Sequence, residues 1–289
     1  MKPFQKIFIE ITNFCGLSCS FCTPKKAKDS MDLNDFNKIC KEIAPFTHLC
    51  ALHILGDPLT LDNLESYLKI ATMHQLKIDI TTSGFYWNNE KINLLLQSPC
   101  VHQINISLTS SLYQKKPTNL KTYFDSIFTL LSKHQVIQSE KFINLRLWNL
   151  QKDFTSPLKN SPIYQALQDF FQVPITTPKT RLAYKIHLLE QPFFEWVNLE
   201  SQIISQKGFC YGGSKQLGIL CNGDVVPCCF DTKGVMNFGN LLKDSMPKIL
   251  ENPRLKRLVE NFKNGVRIEE LCWHCNYPDY LIKLNVENV

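Results

Sequence analysis

The chain has 289 residues, 44% of them hydrophobic and 20% charged, with a formal charge of +6 and 12 cysteines. That length and balance describe a globular protein that buries its own core without disulfides, and the charge is too mild to demand an anionic partner. No apolar run is long enough to cross a bilayer. Glu10 breaks the short apolar run after Lys2 and Lys6, and no small-residue cleavage site follows, so a secretory signal is excluded and a cytoplasmic protein is expected.

Along the chain, "KIFIEIT" (6–12) reads as a strand by alternation. Asp32 is placed to cap a helix over 33–44, which Pro45 ends. "LCALHIL" (49–55) is the next strand, and "GDPL" turns the chain into a helix over 60–74. "LKIDITT" (76–82) precedes a helix over 90–96. "QINISLT" (103–109) precedes a helix over 119–134, with Pro117, Thr118 and Asn119 at its start. "KFINLRLWN" (141–149) is the fifth strand. Strands apolar on both faces, alternating with helices, indicate a parallel sheet with crossover helices, either open or as a partial barrel. Prolines punctuate 151–200. There a helix is expected over 162–171, and "FFEWVNL" (193–199) is the candidate sixth strand. From Cys210 the chain is turn-rich. Asn222-Gly223 predicts a hairpin joining "LGIL" to "VVPCC", and "NPRLKRLVENFKNG" (252–265) predicts a helix closed by Gly265.

Cys15, Cys19 and Cys22 follow the first strand, in the loop leaving its carboxyl end, where α/β folds build their sites. In a reducing compartment, clustered cysteines point to metal or redox chemistry. Gaps of three and two residues let three thiolates converge on one inorganic centre, and soft thiolates select iron–sulfur, zinc or copper(I). On a four-iron cube, three ligands leave one iron open. The competing reading is structural zinc with His48, His53 or His74 as fourth ligand. A second set comprises Cys210, Cys221, Cys228, Cys229, Cys272 and Cys275. By spacing alone it suits four-cysteine zinc as well as iron–sulfur. Adjacent strand side chains point to opposite faces, so one of Cys228 and Cys229 is expected to face the metal. Cys40, Cys50 and Cys100 sit in apolar contexts as small core residues. Arg146 interrupts "INLRLW", where an unpaired guanidinium is costly, so an anionic partner is expected, a ligand or equally a structural carboxylate.

The triad, with Phe21 just before its last cysteine and set in "EITNFCGLSCSFC", resembles the signature of the radical S-adenosylmethionine (SAM) enzymes. "LGDPL" (55–59) resembles the segment that lines the SAM amino group, with Asp57 in place of Glu. "TTSG" (81–84) resembles the Thr-Asn-Gly segment, with Ser83 for Asn, and "ISLTSS" (106–111) resembles the fourth-strand segment, with Thr109 where Asp is common. The resemblance covers about residues 5–150. It implies that Cys15, Cys19 and Cys22 hold a [4Fe–4S] cluster, and that Phe21, Gly56, Asp57, Ser83, Ser107 and Arg146 line SAM. "CNGDVVPCCFD…FGNL…CWHC" resembles the auxiliary-cluster extension of these enzymes, called SPASM in its long form. With no cysteine after Cys275, it is closest to the short form, called twitch. This implies Cys210, Cys228, Cys272 and Cys275 as ligands of a second [4Fe–4S] cluster. Cys229 is the rival for Cys228, and Cys221 is unassigned.

The fold so implied is a partial (β/α)6, TIM-like barrel over 1–200, with a small cysteine-rich auxiliary-cluster domain over 201–289. The implied chemistry starts with one electron from flavodoxin or ferredoxin. Cleavage of SAM then gives a 5′-deoxyadenosyl radical, which takes a hydrogen atom from substrate, and the second cluster accepts an electron. The spacing resembles that of aminosugar alcohol dehydrogenases, so a small-molecule oxidation leads. A peptide- or protein-modifying maturase follows, although the triad begins at residue 15 and leaves no room for a preceding recruitment domain. RNA modification lacks an aromatic-and-basic platform, and a non-catalytic iron–sulfur or zinc scaffold comes last. His53, Lys77 and Asp79 are the candidates for a general base by location.

Overall fold

A computed structural model describes residues 2–23, 28–193, 195–278 and 281. The strands are β1 (Lys6–Ile9), β2 (Leu49–Ala51), β3 (Lys77–Thr82), β4 (Val101–Ser107), β5 (Phe142–Leu150), β6 (Lys179–Ala183), β7 (Ile186–Pro192), β8 (Gln216–Ile219) and β9 (Val225–Val226). The helices are α1 (Leu33–Ile43), α2 (Leu64–Met73), α3 (Asn89–Gln97), α4 (Thr109–Leu112), α5 (Leu120–Val136), α6 (Ser161–Phe171), α7 (Met246–Leu250), α8 (Pro253–Lys263) and α9 (Glu270–Trp273). The strands form one sheet in the order β6-β7-β5-β4-β3-β2-β1-β8-β9. Neighbours from β7 to β8 run parallel, while β6 and β9 close the two edges antiparallel. This is the expected α/β partial barrel.

Local chemistry explains the helices. The Asp32 side chain accepts from Asn34 N at 2.7 Å to start α1, and Asn119 accepts from Thr122 N at 3.3 Å to start α5. Asn252 accepts from Arg254 N at 2.9 Å, with Pro253 at the first position of α8. Each side chain satisfies an amide that the helix cannot. Phe36, Ile39, Cys40 and Ile43 fall on one face of α1 and pack with Ile7 and Ile9 of β1. Cys40, Cys50 and Cys100 are buried.

The sixth parallel strand is β7, so the expected strand over 193–199 is corrected. Its residues leave the sheet after Pro192, and Phe194 lies outside the described residues. The edge strand β6 went unread because its turn into β7, Tyr184-Lys185, lacks glycine; Lys185 itself takes the left-handed conformation, at φ 55°. β8 comes from the C-terminal segment yet pairs along all of β1, from Lys6↔Gln216 to Ile9↔Ile219. The two cysteine-bearing segments are thereby sewn into one sheet.

Candidate functional site

The loop carrying Cys15, Cys19 and Cys22 leaves the carboxyl end of β1 and is tied down on several sides. Ser18 N donates to Gln114 Oε1 at 3.1 Å, and Ser20 N donates to Tyr113 O at 2.9 Å. Gln114 Nε2 donates to the Cys19 sulfur at 2.9 Å and to Ser110 O at 2.8 Å. The Tyr86 hydroxyl donates to Cys15 O. Burial, the carboxylate of Asp57 and the nearby Cys19 and Cys22 push the Cys15 thiol up to about 12. The three sulfurs therefore lie within each other's fields, where a cationic inorganic centre is what would hold them as thiolates. The Phe21 ring packs edge-on against Tyr113 and Phe193, at centroid distances of 5.6 and 5.9 Å. It lines a cavity of about 370 Å³ with Cys22 and Trp196.

Gly56 sits at φ +75°, and an added Cβ would stand 2.3 Å from Thr12 O, so only glycine lets this segment lie against the cysteine loop. Asp57 N donates to Phe14 O at 2.9 Å. The Asp57 carboxylate is 1% exposed and fully engaged. It accepts from Ser83 Oγ at 2.6 Å, Ser83 N at 2.7 Å, Thr82 Oγ1 at 2.9 Å and Leu59 N at 3.0 Å. Burial pushes its pKa up, and these four donors pull it back. Asp57 and Ser83 thus bind each other and shape the wall, leaving the backbone of 55–57 as the part able to meet a ligand. Ser107 and Arg146 are register partners on β4 and β5. Ser107 Oγ accepts from Ser110 Oγ at 3.1 Å. The Arg146 guanidinium has no hydrogen bond or ion pair among the described residues; it lies 5.2 Å from the Trp148 ring centre, and burial pushes its pKa down to about 10. The Asp79 carboxylate acts on the guanidinium through its field and pulls the pKa back up, from beyond ion-pair distance.

The inner face of the sheet is polar. Asp79 binds Lys6 at 2.6 Å and His102 at 3.2 Å, which leaves it poorly placed as a free base. Asn144 Nδ2 donates to Asn105 Oδ1 at 3.2 Å. His53 packs edge-on against Phe8 and is pushed down to about 3 by burial, Arg146 and Lys6; its Nδ1 has no partner among the described residues.

In the C-terminal segment, Cys210, Cys228, Cys272 and Cys275 line one cavity of about 30 Å³, with Phe230, Met236 and Tyr277 on its walls. Arg267, 2% exposed, donates from Nη1 to the carbonyls of Cys275 at 2.7 Å and Cys272 at 3.3 Å, and so shapes the knuckle. Burial first, then the other thiols, pushes Cys228 well above its ordinary value. Cys229 lies close enough to feel Cys275 and Cys210 but packs against Ile54, Leu220 and Val226. Both residues follow the end of β9, so a turn, not strand alternation, separates them. Cys221 donates its thiol proton to Glu10 O at 3.1 Å. Among the described residues, no three His, Cys, Asp or Glu side chains close on a single ion. Soft thiols set round a cavity suit the corners of a larger iron–sulfur cube.

Sequence reading missed Gln114, Tyr86 and Tyr113, which hold the cysteine loop from distant elements; no local pattern marks them. It passed over Glu10, which was legible as an acid inside an apolar strand. Glu10 is 1% exposed and accepts from Leu55 N and Cys221 N, both at 3.3 Å, joining both halves of the site.

The radical SAM superfamily profile matches residues 9–133, and that of SPASM, an iron–sulfur cluster-binding domain, matches residues 210–276. No curated protein matches the chain by sequence. Among solved structures, the fold is similar to BtrN in complex with AdoMet and 2-DOIA. That likeness has a TM-score of 0.61 and 16% identity, and covers 96% of this chain and 94% of that one. Streptococcus suis SuiB bound to precursor peptide SuiA gives 0.59 and 14%, covering 97% and 73%. Native anSMEcpe with bound AdoMet and Cp18Cys peptide gives 0.55 and 14%, covering 95% and 87%. With two matched domains that each contain one of the cysteine sets, the chain is a radical SAM enzyme with a SPASM-like C-terminal domain, and its cofactors are [4Fe–4S] clusters and SAM.

Proposed function

We propose that this enzyme oxidises a small molecule, with residues 1–200 holding the SAM-binding centre and 201–289 a second cluster. The observation that carries this reading is the cavity on which four thiols, those of Cys210, Cys228, Cys272 and Cys275, converge. Four protein ligands leave a cube no open iron, which suits it to accepting an electron. Three, at Cys15, Cys19 and Cys22, leave a position for SAM. With clusters and SAM bound, the site would supply radical chemistry for hydrogen abstraction and an electron acceptor for the oxidised carbon.

The chain's own groups do the positioning. The Phe21 ring and the backbone at Gly56 line the SAM site, which Asp57 and Ser83 hold in shape. With SAM bound, Ser107 would donate a hydrogen bond and the Arg146 guanidinium would offer its cation to the SAM carboxylate.

A small-molecule substrate is favoured by the space beside these groups. The cavity of about 370 Å³ at Phe21 and Cys22 shares Phe193, Glu195 and Trp196 with one of about 720 Å³ at His274 and Asn276. These volumes suit small ligands, and BtrN, matched nearly end to end, is crystallised with 2-DOIA. A peptide is the second reading, because SuiB and anSMEcpe are crystallised with peptides. The test is 5′-deoxyadenosine formation by the anaerobically reconstituted, reduced enzyme, with metabolite, peptide and RNA fractions supplied separately. Stimulation by the metabolite fraction, lost in Cys19→Ala, is expected. Stimulation by peptide or RNA alone overturns the substrate class, and intact clusters without SAM cleavage overturn the reading.

A further inference from the structure

We infer that the groove beside Gln114 is the docking surface for the electron donor, an acidic one-electron carrier protein. This rests on the radical SAM reading of the Cys15–Cys22 loop.

A groove of about 830 Å³ runs along the outside of that loop, lined by Leu17, Ser18, Phe85, Trp87, Lys115 and Lys116 among others. Its floor is in bonded contact with the cysteine loop. Gln114 grips Ser18 N through Oε1 and the Cys19 sulfur through Nε2, and the next two residues in the chain are Lys115 and Lys116, both exposed. The lysine pair thus lies on the same groove as Gln114, the residue that bonds the Cys19 sulfur.

The chemistry of the groove selects an acidic partner. Lys115 and Lys116 carry two positive charges on its wall, against one acid, Asp125. Thr118 and Asn119 place the amino end of the 17-residue α5 on the same groove, adding the positive end of its dipole. The Trp87 side chain is 8% exposed, and its indole N–H has no acceptor among the described residues. The groove presents two lysines and the amino end of α5 beside the half-buried Phe85 ring, the complement of a carboxylate-rimmed redox protein. The step is a single electron transfer. The carrier loses one electron, the centre held by Cys15, Cys19 and Cys22 gains one, and no bond or proton moves. Phe85, backed by the buried Trp87, supplies the apolar contact, and the lysines supply steering that salt weakens.

The test compares two reductants on the reconstituted holoenzyme, with carrier binding by titration calorimetry, expected to weaken in the groove variant, and initial 5′-deoxyadenosine formation as the readouts. Reduced flavodoxin, with reduced ferredoxin in parallel, reports docking; dithionite bypasses it. The double variant Lys115→Glu, Lys116→Glu is expected to lower the carrier-driven rate about tenfold at low salt and to leave the dithionite-driven rate unchanged. The same reversal at Lys256 and Lys263, on α8, is expected to leave both rates unchanged. An unchanged carrier-driven rate in the groove variant, or an equal fall with dithionite, overturns the proposal. A wild-type enzyme driven by dithionite but by neither carrier also overturns it, while the enzyme reading stands. A wild-type enzyme with intact clusters that cleaves no SAM with any reductant sinks both.

Discussion

Asp57 receives both the hydroxyl and the backbone N–H of Ser83, at 2.6 and 2.7 Å, on one carboxylate oxygen. The pair ties the end of β3 to the segment that lies against the cysteine loop, so its loss is felt at the site as well as in the core. Asp57→Ala leaves four donors without an acceptor and is expected to cost about 2–4 kcal/mol of stability. In the double variant with Ser83→Ala the costs should fall short of additive, because both changes remove the Ser83 Oγ bond to Asp57. Urea melts of the two single variants and the double variant measure this; additive costs would mean that the two residues act separately.

Gly56 is held to glycine by contact, not only by its dihedral angle. Gly56→Ala drives a methyl group to 2.3 Å from the Thr12 carbonyl, and Gly265→Ala, also at positive φ (+71°), meets nothing within 4 Å. The second change is expected to cost about 1 kcal/mol. The first must also displace the cysteine loop, so it should weaken SAM binding at least tenfold in equilibrium dialysis. Equal effects of the two changes would mean that the close approach is unimportant.

The parts of the site legible in sequence are those carried by local spacing. Cys15, Cys19 and Cys22 are neighbours in the chain, and the Asn222-Gly223 turn announces the β8–β9 hairpin. Convergence was not local. Cys210 and Cys275 share a cavity only because α8 and Arg267 bring the knuckle back over the hairpin. Gln114 reaches Cys19 across 95 residues of chain. The sixth strand was misplaced because "FFEWVNL" is the more apolar run, whereas "IHLLEQP" is interrupted by His187, Glu190 and Gln191; pairing with β5 and β6 selects the second.

His53 carries a pH dependence whose sign is set by burial. Its folded pKa is near 3, below its ordinary 6.5, so the unfolded chain takes up the proton first and stability falls with falling pH. The contribution is whole above about pH 6.5 and shrinks by about 1.4 kcal/mol between pH 7.5 and 5.5. His53→Phe keeps a ring beside Phe8 and should remove that share of the slope in denaturant melts. An unchanged slope would show that His53 protonates in the folded protein at its ordinary pKa.

Cys228 and Cys229 are adjacent in sequence and differ in what they face. Cys228 lines the cavity with Cys210, Cys272 and Cys275, whereas Cys229 packs against Ile54, Leu220 and Val226. Cys228→Ser should therefore reduce iron from about eight to about four atoms per chain after anaerobic reconstitution. Cleavage of SAM should survive, because the first centre is untouched, but product formation should fall for want of an electron acceptor. Cys229→Ser should keep all its iron and lose only the packing of a small buried side chain, on the order of 1 kcal/mol. Iron and sulfide analysis with electron paramagnetic resonance separates the two variants. The reverse pattern, with iron lost in Cys229→Ser alone, would make Cys229 the ligand and require the turn after β9 to rotate by one residue.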